Sequence, residues 1–199
     1  LAVTGSVHPD RILTNCGCRA GDALILTKPL GTGVLFNANR SGKLPYAELE
    51  AILPLVAALN RNAIEAAVKF DVHACTDVTG FGILGHTLEL ARGSDVQIDL
   101  IYENLPFYPN ALRMYQKGET TGSNKANRRL AEGAWEITTH RSAEEQALLF
   151  DPQTSGGLLI AVPDSQADDL ISRLKKEGLE TADRVGEVVA SDRPFIRVV

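Results

Sequence analysis

Residues 74–86, Ala-Cys-Thr-Asp-Val-Thr-Gly-Phe-Gly-Ile-Leu-Gly-His, constrain the fold more than any other stretch of the chain. An apolar run ends in Thr76-Asp77, a glycine-rich turn follows, and an amphipathic run begins at Phe81. A change of hydrophobic period across such a turn reads as strand, turn, helix. Asp77 then stands beside backbone N–H groups that a helix N-terminus leaves unpaired, and these carry about half a positive charge. Gly80, Gly82 and Gly85 remove Cβ atoms that would hold an anion off the backbone. Mg²⁺ takes carboxylate oxygens together with water and substrate phosphate, so the run suits a metal ion bridged to phosphate. The same spacing also suits Asp77 as a helix cap, with glycines that only permit tight helix–sheet packing. The run matches neither the P-loop nor the dinucleotide fingerprint.

Around this unit, short apolar runs alternate with helical ones. Strands are expected at Asp22–Thr27, Val72–Cys75, Val96–Ile101, Ala134–Thr138, Leu158–Val162, Ala182–Val189 and Phe195–Val198. The residues from Pro45 to about Phe70 read as helix, which Pro54 should kink or divide. A second helix is expected at Phe81–Arg92, closed by Gly93, and a short one at Lys125–Ala131. Ser142–Phe150 begins with a capping-box pair, Ser142 and Glu145. Asp164 is expected to cap a helix to Lys176. Residues 106–133 hold scattered Pro, Gly, Ser and Asn and read as the least regular stretch. The pattern gives an α+β (layered α/β) domain, a mixed sheet of four to six strands with helices mainly on one face. Residues 1–20 read as a terminal strand plus a connector, and 21–199 as the domain proper.

The chain has 199 residues, 44% hydrophobic and 23% charged, with a formal net charge of −5 and a pI near 5.4. This is the composition of a globular domain. The densest basic segment, Asn124-Lys-Ala-Asn-Arg-Arg129, holds only three positive charges, which argues against a nucleic-acid partner. An ATP-like ligand would meet net repulsion and would need divalent metal or local N–H groups to offset it. No apolar run approaches the ~18 residues of a membrane span. The three cysteines, Cys16, Cys18 and Cys75, are too few and odd in number for a disulfide framework, so a reducing, cytoplasmic setting is expected. Cys16-Gly-Cys18 reads as two loop thiols, with metal binding or redox cycling as the alternative. Met114 is the only methionine, and Leu1-Ala-Val-Thr-Gly reads as the end of a strand, so an excised fragment is expected.

Three further loops are candidates for chemistry. Thr27-Lys-Pro-Leu-Gly-Thr-Gly33 leaves a strand with a lysine and two glycines, as an anion-binding loop would. Gln153-Thr-Ser-Gly-Gly157 has the hydroxyls and glycines to line a cleft, or simply turns into a core strand. Gly122-Ser-Asn-Lys-Ala-Asn127 suits ligand contact or helix capping. His86, one turn into the second helix, reads as a packing residue or a catalyst; His8 sits in the connector, and His73 and His140 carry no readable pattern.

Together, Ala2-Val-Thr-Gly-Ser-Val-His-Pro9, Leu26-Thr-Lys-Pro-Leu-Gly-Thr-Gly33, Thr76-Asp-Val-Thr-Gly-Phe-Gly-Ile-Leu-Gly-His86 and Asp151-Pro-Gln-Thr-Ser-Gly-Gly-Leu-Leu159 resemble the C-terminal domain of selenophosphate synthetases (selenide, water dikinases). The wider superfamily of aminoimidazole ribonucleotide synthetase also holds thiamine-monophosphate kinase, formylglycinamidine ribonucleotide synthetase and a hydrogenase-maturation protein. Gly21-Asp-Ala-Leu-Ile-Leu26 is similar to a strand these share. The resemblance implies an aminoimidazole ribonucleotide synthetase C-terminal-domain-like fold. It implies the reaction of selenide, ATP and water to selenophosphate, phosphate and AMP, which supplies selenium for selenocysteine and selenouridine. It implies Mg²⁺ as cofactor, ATP and selenide as ligands, and a homodimer in the full-length form. By resemblance Asp77 matches the metal-binding aspartate of this half, and Thr76, Thr79, Gly80 and Gly82 shape the pocket wall. The nucleophilic Cys or selenocysteine and the essential Lys belong to an N-terminal domain, so no catalytic residue is expected within these residues and the fragment alone is expected to be inactive. The alternatives are another ATP-dependent enzyme of the superfamily, or a non-catalytic paralogue that acts as a binding protein.

Overall fold

The computed structural model describes residues 2, 4–9 and 12–199. An interior strand of its sheet is β1 (Asp22–Leu26), whose five residues are all buried. It pairs antiparallel with β5 (Leu158–Pro163) on one side and β6 (Asp183–Val189) on the other. The strand order is β2-β5-β1-β6-β3-β7-β4, with β2 at Ala74–Asp77, β3 at Gln97–Leu100, β4 at Trp135–Ile137 and β7 at Phe195–Val198. β7 runs parallel to both β3 and β4, and the other pairs are antiparallel. The sheet is therefore mixed, as expected, but it has seven strands among the described residues rather than four to six.

Side chains alternate across the sheet with the two-residue period of a strand. Leu24, Leu26, Leu159 and Ala161 face a core shared with α5 (Gly82–Ser94). Ala23, Ile25, Ile160 and Val162 face the opposite way, onto α4 (Arg61–Ala67) and α9 (Asp164–Lys176). Both faces thus carry helices, an amendment to the expectation of one main helical face. The reason is visible in β1 from Ala23 onward and in β5, which are apolar at successive rather than alternate positions. A third cluster lies beside the sheet, where α1 (Thr32–Arg40), α2 (Tyr46–Glu50), α3 (Leu53–Ala57), α6 (Ala111–Gln116) and α8 (Ala143–Leu148) pack together.

The segment from Pro45 to Phe70 is divided into three short helices, α2 to α4. Pro54 sits in the first turn of α3, where its missing N–H costs nothing. The capping box at α8 forms as expected: the Ser142 side chain accepts from Glu145 N–H, and the Glu145 carboxylate accepts from Ser142 N–H. β2 lies two residues beyond the strand expected at Val72–Cys75, and two helix ends also differ from expectation. α9 is preceded by Pro163 at the cap position, so Asp164 is its first residue and not its cap. α5 runs through Gly93 to Ser94 and ends on Asp95 in a left-handed conformation. A Cβ at Gly93 would lie 2.8 Å from Asn15 O, so this glycine admits the connector rather than stopping the helix. The helices α1 and α6 lie in stretches that carried no helix expectation, and α7 (Asn124–Leu130) is offset by one residue from the short helix expected at Lys125–Ala131.

The terminal strand expected at the start of the chain rests partly on Leu1 and Val3, outside the described residues. The connector that follows is held to the domain. Cys75 N–H donates to Thr14 O, and the N–H groups of Gly17 and Cys18 both donate to Ser94 Oγ. Among the described residues no helix is long and apolar enough to cross a membrane.

Candidate functional site at the end of strand β2

Asp77 is the last residue of β2, a strand at the sheet edge that pairs with β5 through Asp77 and Leu158. At the next two residues, Val78 N–H donates to Gly157 O, and Gln153 N–H donates to Thr79 O. The turn after β2 is therefore laced to the Gln153–Gly157 loop. A Cβ on Gly156 would lie 1.8 Å from Val78 O, which leaves no room for any side chain there. On the far side of the turn, Asn127 Nδ2 donates to Gly80 O and Phe150 O. Three of the four loops singled out in the sequence thus converge on one turn.

The three glycines of the turn do different things. Gly82 has φ near +72° and its Cβ would meet Phe150 C at 2.8 Å, so conformation and packing both require glycine. Gly85 lies under the Phe81 side chain, with a Cβ separation of 2.5 Å. Gly80 is exposed, and nothing lies within 4 Å of a Cβ placed on it. Only Gly80 leaves open space for a ligand. Part of the N–H array is also occupied, since Gly82 N–H donates to Thr79 O and Leu84 N–H to Leu149 O.

Asp77 is not a helix cap. The cap position of α5 is Phe81, and no side chain caps it. The Asp77 carboxylate is exposed and, among the described residues, makes no ion pair or side-chain hydrogen bond. Its charge is felt by Cys75, whose thiol is pushed up to about 12, first by burial and then by Asp77. Thr76 Oγ1 donates to Asp77 O at 3.2 Å. Thr79 Oγ1 lies 3.3 Å from Nε2 of His86, a buried ring that also stacks obliquely on Phe81. His86 Nδ1 sits 3.2 Å from Glu89 Oε2 without hydrogen-bond alignment. His86 is thus a packing residue that steadies Thr79 and Phe81. No group of three or more His, Cys, Asp or Glu side chains gathers into a metal site among the described residues. One exposed, unpaired carboxylate beside an open glycine fits a single-ligand share of Mg²⁺, which needs only one or two carboxylates when phosphate and water complete its shell.

The Thr27–Gly33 loop has the opposite character. Lys28 is fully buried, and its Nζ donates to Ala58 O at 2.6 Å, Ser155 O at 2.9 Å and Val56 O at 3.4 Å. Burial lowers its ammonium from the ordinary lysine value. Gln153 Oε1 accepts from Gly31 N–H at 2.9 Å, Thr32 N–H at 3.2 Å and Thr32 Oγ1 at 3.1 Å. The Asp151 carboxylate accepts from Gly33 N–H and Val34 N–H, both at 2.9 Å, and from Tyr115 OH at 2.7 Å. The start of α1 is therefore already filled by the protein's own anion, and the expected anion-binding role of this loop is corrected. Desolvation pushes the Asp151 carboxyl up to about 7 against the pull of these donors. Burial and the neighbouring Asp151 charge push the Tyr115 phenol up as well.

Sequence reasoning gave no role to His73. Its Nδ1 lies 2.9 Å from both Asp22 oxygens, and its Nε2 lies 2.8 Å from Arg19 Nη1. The same Nε2 lies 3.3 Å from Asp71 Oδ2, so the ring is held between Arg19 and Asp71 on one edge and the buried Asp22 on the other. This clasp ties the connector to the start of β1. Asp22 follows Gly21 in the motif strand, which was the one signal available for it. The cysteines are all free; Cys18 and Cys75 are buried with thiols pushed up, and Cys16 is exposed.

Residues 19–199 match the family model described as AIR synthase related protein, C-terminal domain. The chain belongs to that family. Among curated relatives, it is 44% identical over 199 residues to the selenide, water dikinase of Pelobacter propionicus and 37% identical over 199 residues to that of Clostridioides difficile. In both cases the match covers 100% of this chain and 57% of the relative, so the chain spans about half the length of the curated relatives it matches. Among solved structures it is similar to the hydrogenase maturation protein HypE in complex with ATP, with a TM-score of 0.69 and 17% identity over 98% of this chain and 52% of that one. It is also similar to thiamine-monophosphate kinase from Stenotrophomonas maltophilia, with a TM-score of 0.67 and 19% identity over 96% of this chain and 54% of that one. These two likenesses establish the shared fold.

Proposed function

We propose that this chain is the C-terminal part of a selenide, water dikinase, which converts selenide, ATP and water to selenophosphate, phosphate and AMP. The observation that carries the reading is whole-chain identity of 36–44% to relatives of that name. The geometry supports it through Asp77, an exposed carboxylate with no structural partner among the described residues, at the end of a strand beside an open glycine. Mg²⁺ held at Asp77 would neutralise phosphate charge, the main requirement of phosphoryl transfer. Asp77 supplies one ligand oxygen. Gly80 lets phosphate approach the backbone, Thr76 and Thr79 form the polar wall, and Gly82 sets the turn from beneath.

The remaining metal ligands, the nucleophile and the essential lysine then come from an N-terminal domain, and the full-length enzyme works as a cytoplasmic homodimer. One carboxylate binds metal weakly, so this chain alone should fold but hold Mg-ATP poorly. Phosphorus NMR of the full-length protein with ATP, Mg²⁺ and selenide under anaerobic conditions tests the reading. Selenophosphate and AMP are expected from the full-length protein and neither from this chain. Asp77→Asn in the full-length protein should lower turnover by at least about a hundredfold, with unchanged circular dichroism. A folded full-length protein that yields no selenophosphate favours a sister enzyme or a non-catalytic paralogue. Full turnover of the Asp77→Asn variant at limiting Mg²⁺ removes the metal role.

A further inference from the structure

The helix α7 carries its charge in an unusual way. Asn124 and Asn127 point inward, to Ala147 O and to Gly80 O and Phe150 O. The opposite face presents Lys125, Arg128 and Arg129, all exposed. Among the described residues none of the three makes an ion pair. Like charges at spacings of three and four destabilise a helix, and this helix has only seven residues. Among the described residues no carboxylate pairs with them to offset that repulsion, although the chain as a whole is acidic.

The same three cations line a cleft of about 430 Å³, together with Glu132, Gly133 and Trp135. Arg128 is held in place: its Nη2 donates to Gln146 Oε1 at 3.1 Å, and its guanidinium lies 5.3 Å from the centre of the Trp135 ring and 5.6 Å from that of Phe150. A planar fork fixed over two rings is a pre-oriented donor for phosphate oxygens. Glu132 stands in the cleft wall with its negative charge, so the cationic stretch is short. A long polyanion laid along it would meet that carboxylate, whereas a small one would not.

We propose that the cleft between α7 and Trp135 binds a small phosphate-bearing anion, a free pyrophosphate or nucleoside monophosphate. The phosphate groups sit among Lys125, Arg128 and Arg129, and the Trp135 edge forms the apolar wall. Asp77 does not line this cleft, and the site needs no metal.

Trp135 is the chain's only tryptophan, so its fluorescence reports on this cleft alone. The test titrates the chain with sodium pyrophosphate and with AMP, in EDTA and low salt. EDTA removes any contribution of metal-bridged binding at Asp77. A saturable change in Trp135 emission is expected, weakened at least about tenfold in a Lys125→Gln, Arg129→Gln double variant and by raised salt. Glutamine keeps the helix, and circular dichroism checks it. AMP binding tighter than pyrophosphate assigns the wall to the base; the reverse assigns the site to phosphates alone, and either supports the proposal. No saturable change, or one that the double variant leaves intact, overturns it. So does an RNA oligonucleotide held more tightly than either small anion.

Discussion

Two glycine-rich loops of this chain are built from the same kinds of residue and end in opposite states. Thr27–Gly33 and Thr76–Gly82 each leave a strand and lead into a helix. In the first, the lysine is buried on three carbonyls and the helix start is filled by Asp151 and Gln153. In the second, the carboxylate faces outward and has no partner among the described residues. A donor array binds a ligand only if the protein has not already satisfied it. The closed loop makes the open one rigid, because the Asp151–Gly157 segment caps α1 with one set of groups and laces the Asp77 turn with another.

The largest effect expected from breaking this contrast lies in the closed loop. Asp151→Ala leaves Gly33 N–H, Val34 N–H and Tyr115 OH without acceptors in a buried site, at a cost of about 3–5 kcal/mol in urea unfolding. Gly156→Ala comes next, because its Cβ would overlap backbone at Val78 O; about 2–3 kcal/mol is expected, with altered chemical shifts at residues 77–80.

A smaller effect is the pH dependence that Asp151 confers on the closed loop. The Asp151 carboxyl ionises near 7 in the fold and near 3.8 in the unfolded chain. Between those values the folded state holds the extra proton, so the stability this group contributes falls as pH rises through the window. The difference in urea midpoint between the native chain and Asp151→Asn should shrink from about pH 4 to about pH 7; a difference that grows reverses the sign of the assigned shift. The smallest effects belong to the open loop. Asp77→Asn and Gly80→Ala should each change stability by less than about 0.5 kcal/mol. A loss near that of Gly156→Ala would mean that the open turn is structural after all.

What was legible in the chain was local. The β2–turn–α5 unit, the capping box of Ser142 and Glu145, and the division of residues 45–70 at Pro54 all depend on neighbours within a few positions. The missed elements depend on distant ones. Helix α1 begins where Asp151 and Gln153, more than 115 residues away, supply its missing acceptors. Helix α6 begins at Asn110 in a left-handed conformation, beside a Glu48 that accepts from the asparagine side chain across 62 residues. At the site, the position of Asp77 at a strand end was readable, whereas its freedom from the capping role was not.

The amino-acid sequence by itself determined the alternation of strands and helices, the mixed sheet and the placing of Asp77 at a strand end, since these follow from periodicity and turn chemistry along the backbone. Only the tertiary structure decided which glycine-rich loop is sealed and which is open. The presence of a donor is a property of the residue, but its satisfaction is a property of whatever the fold brings within 3 Å of it.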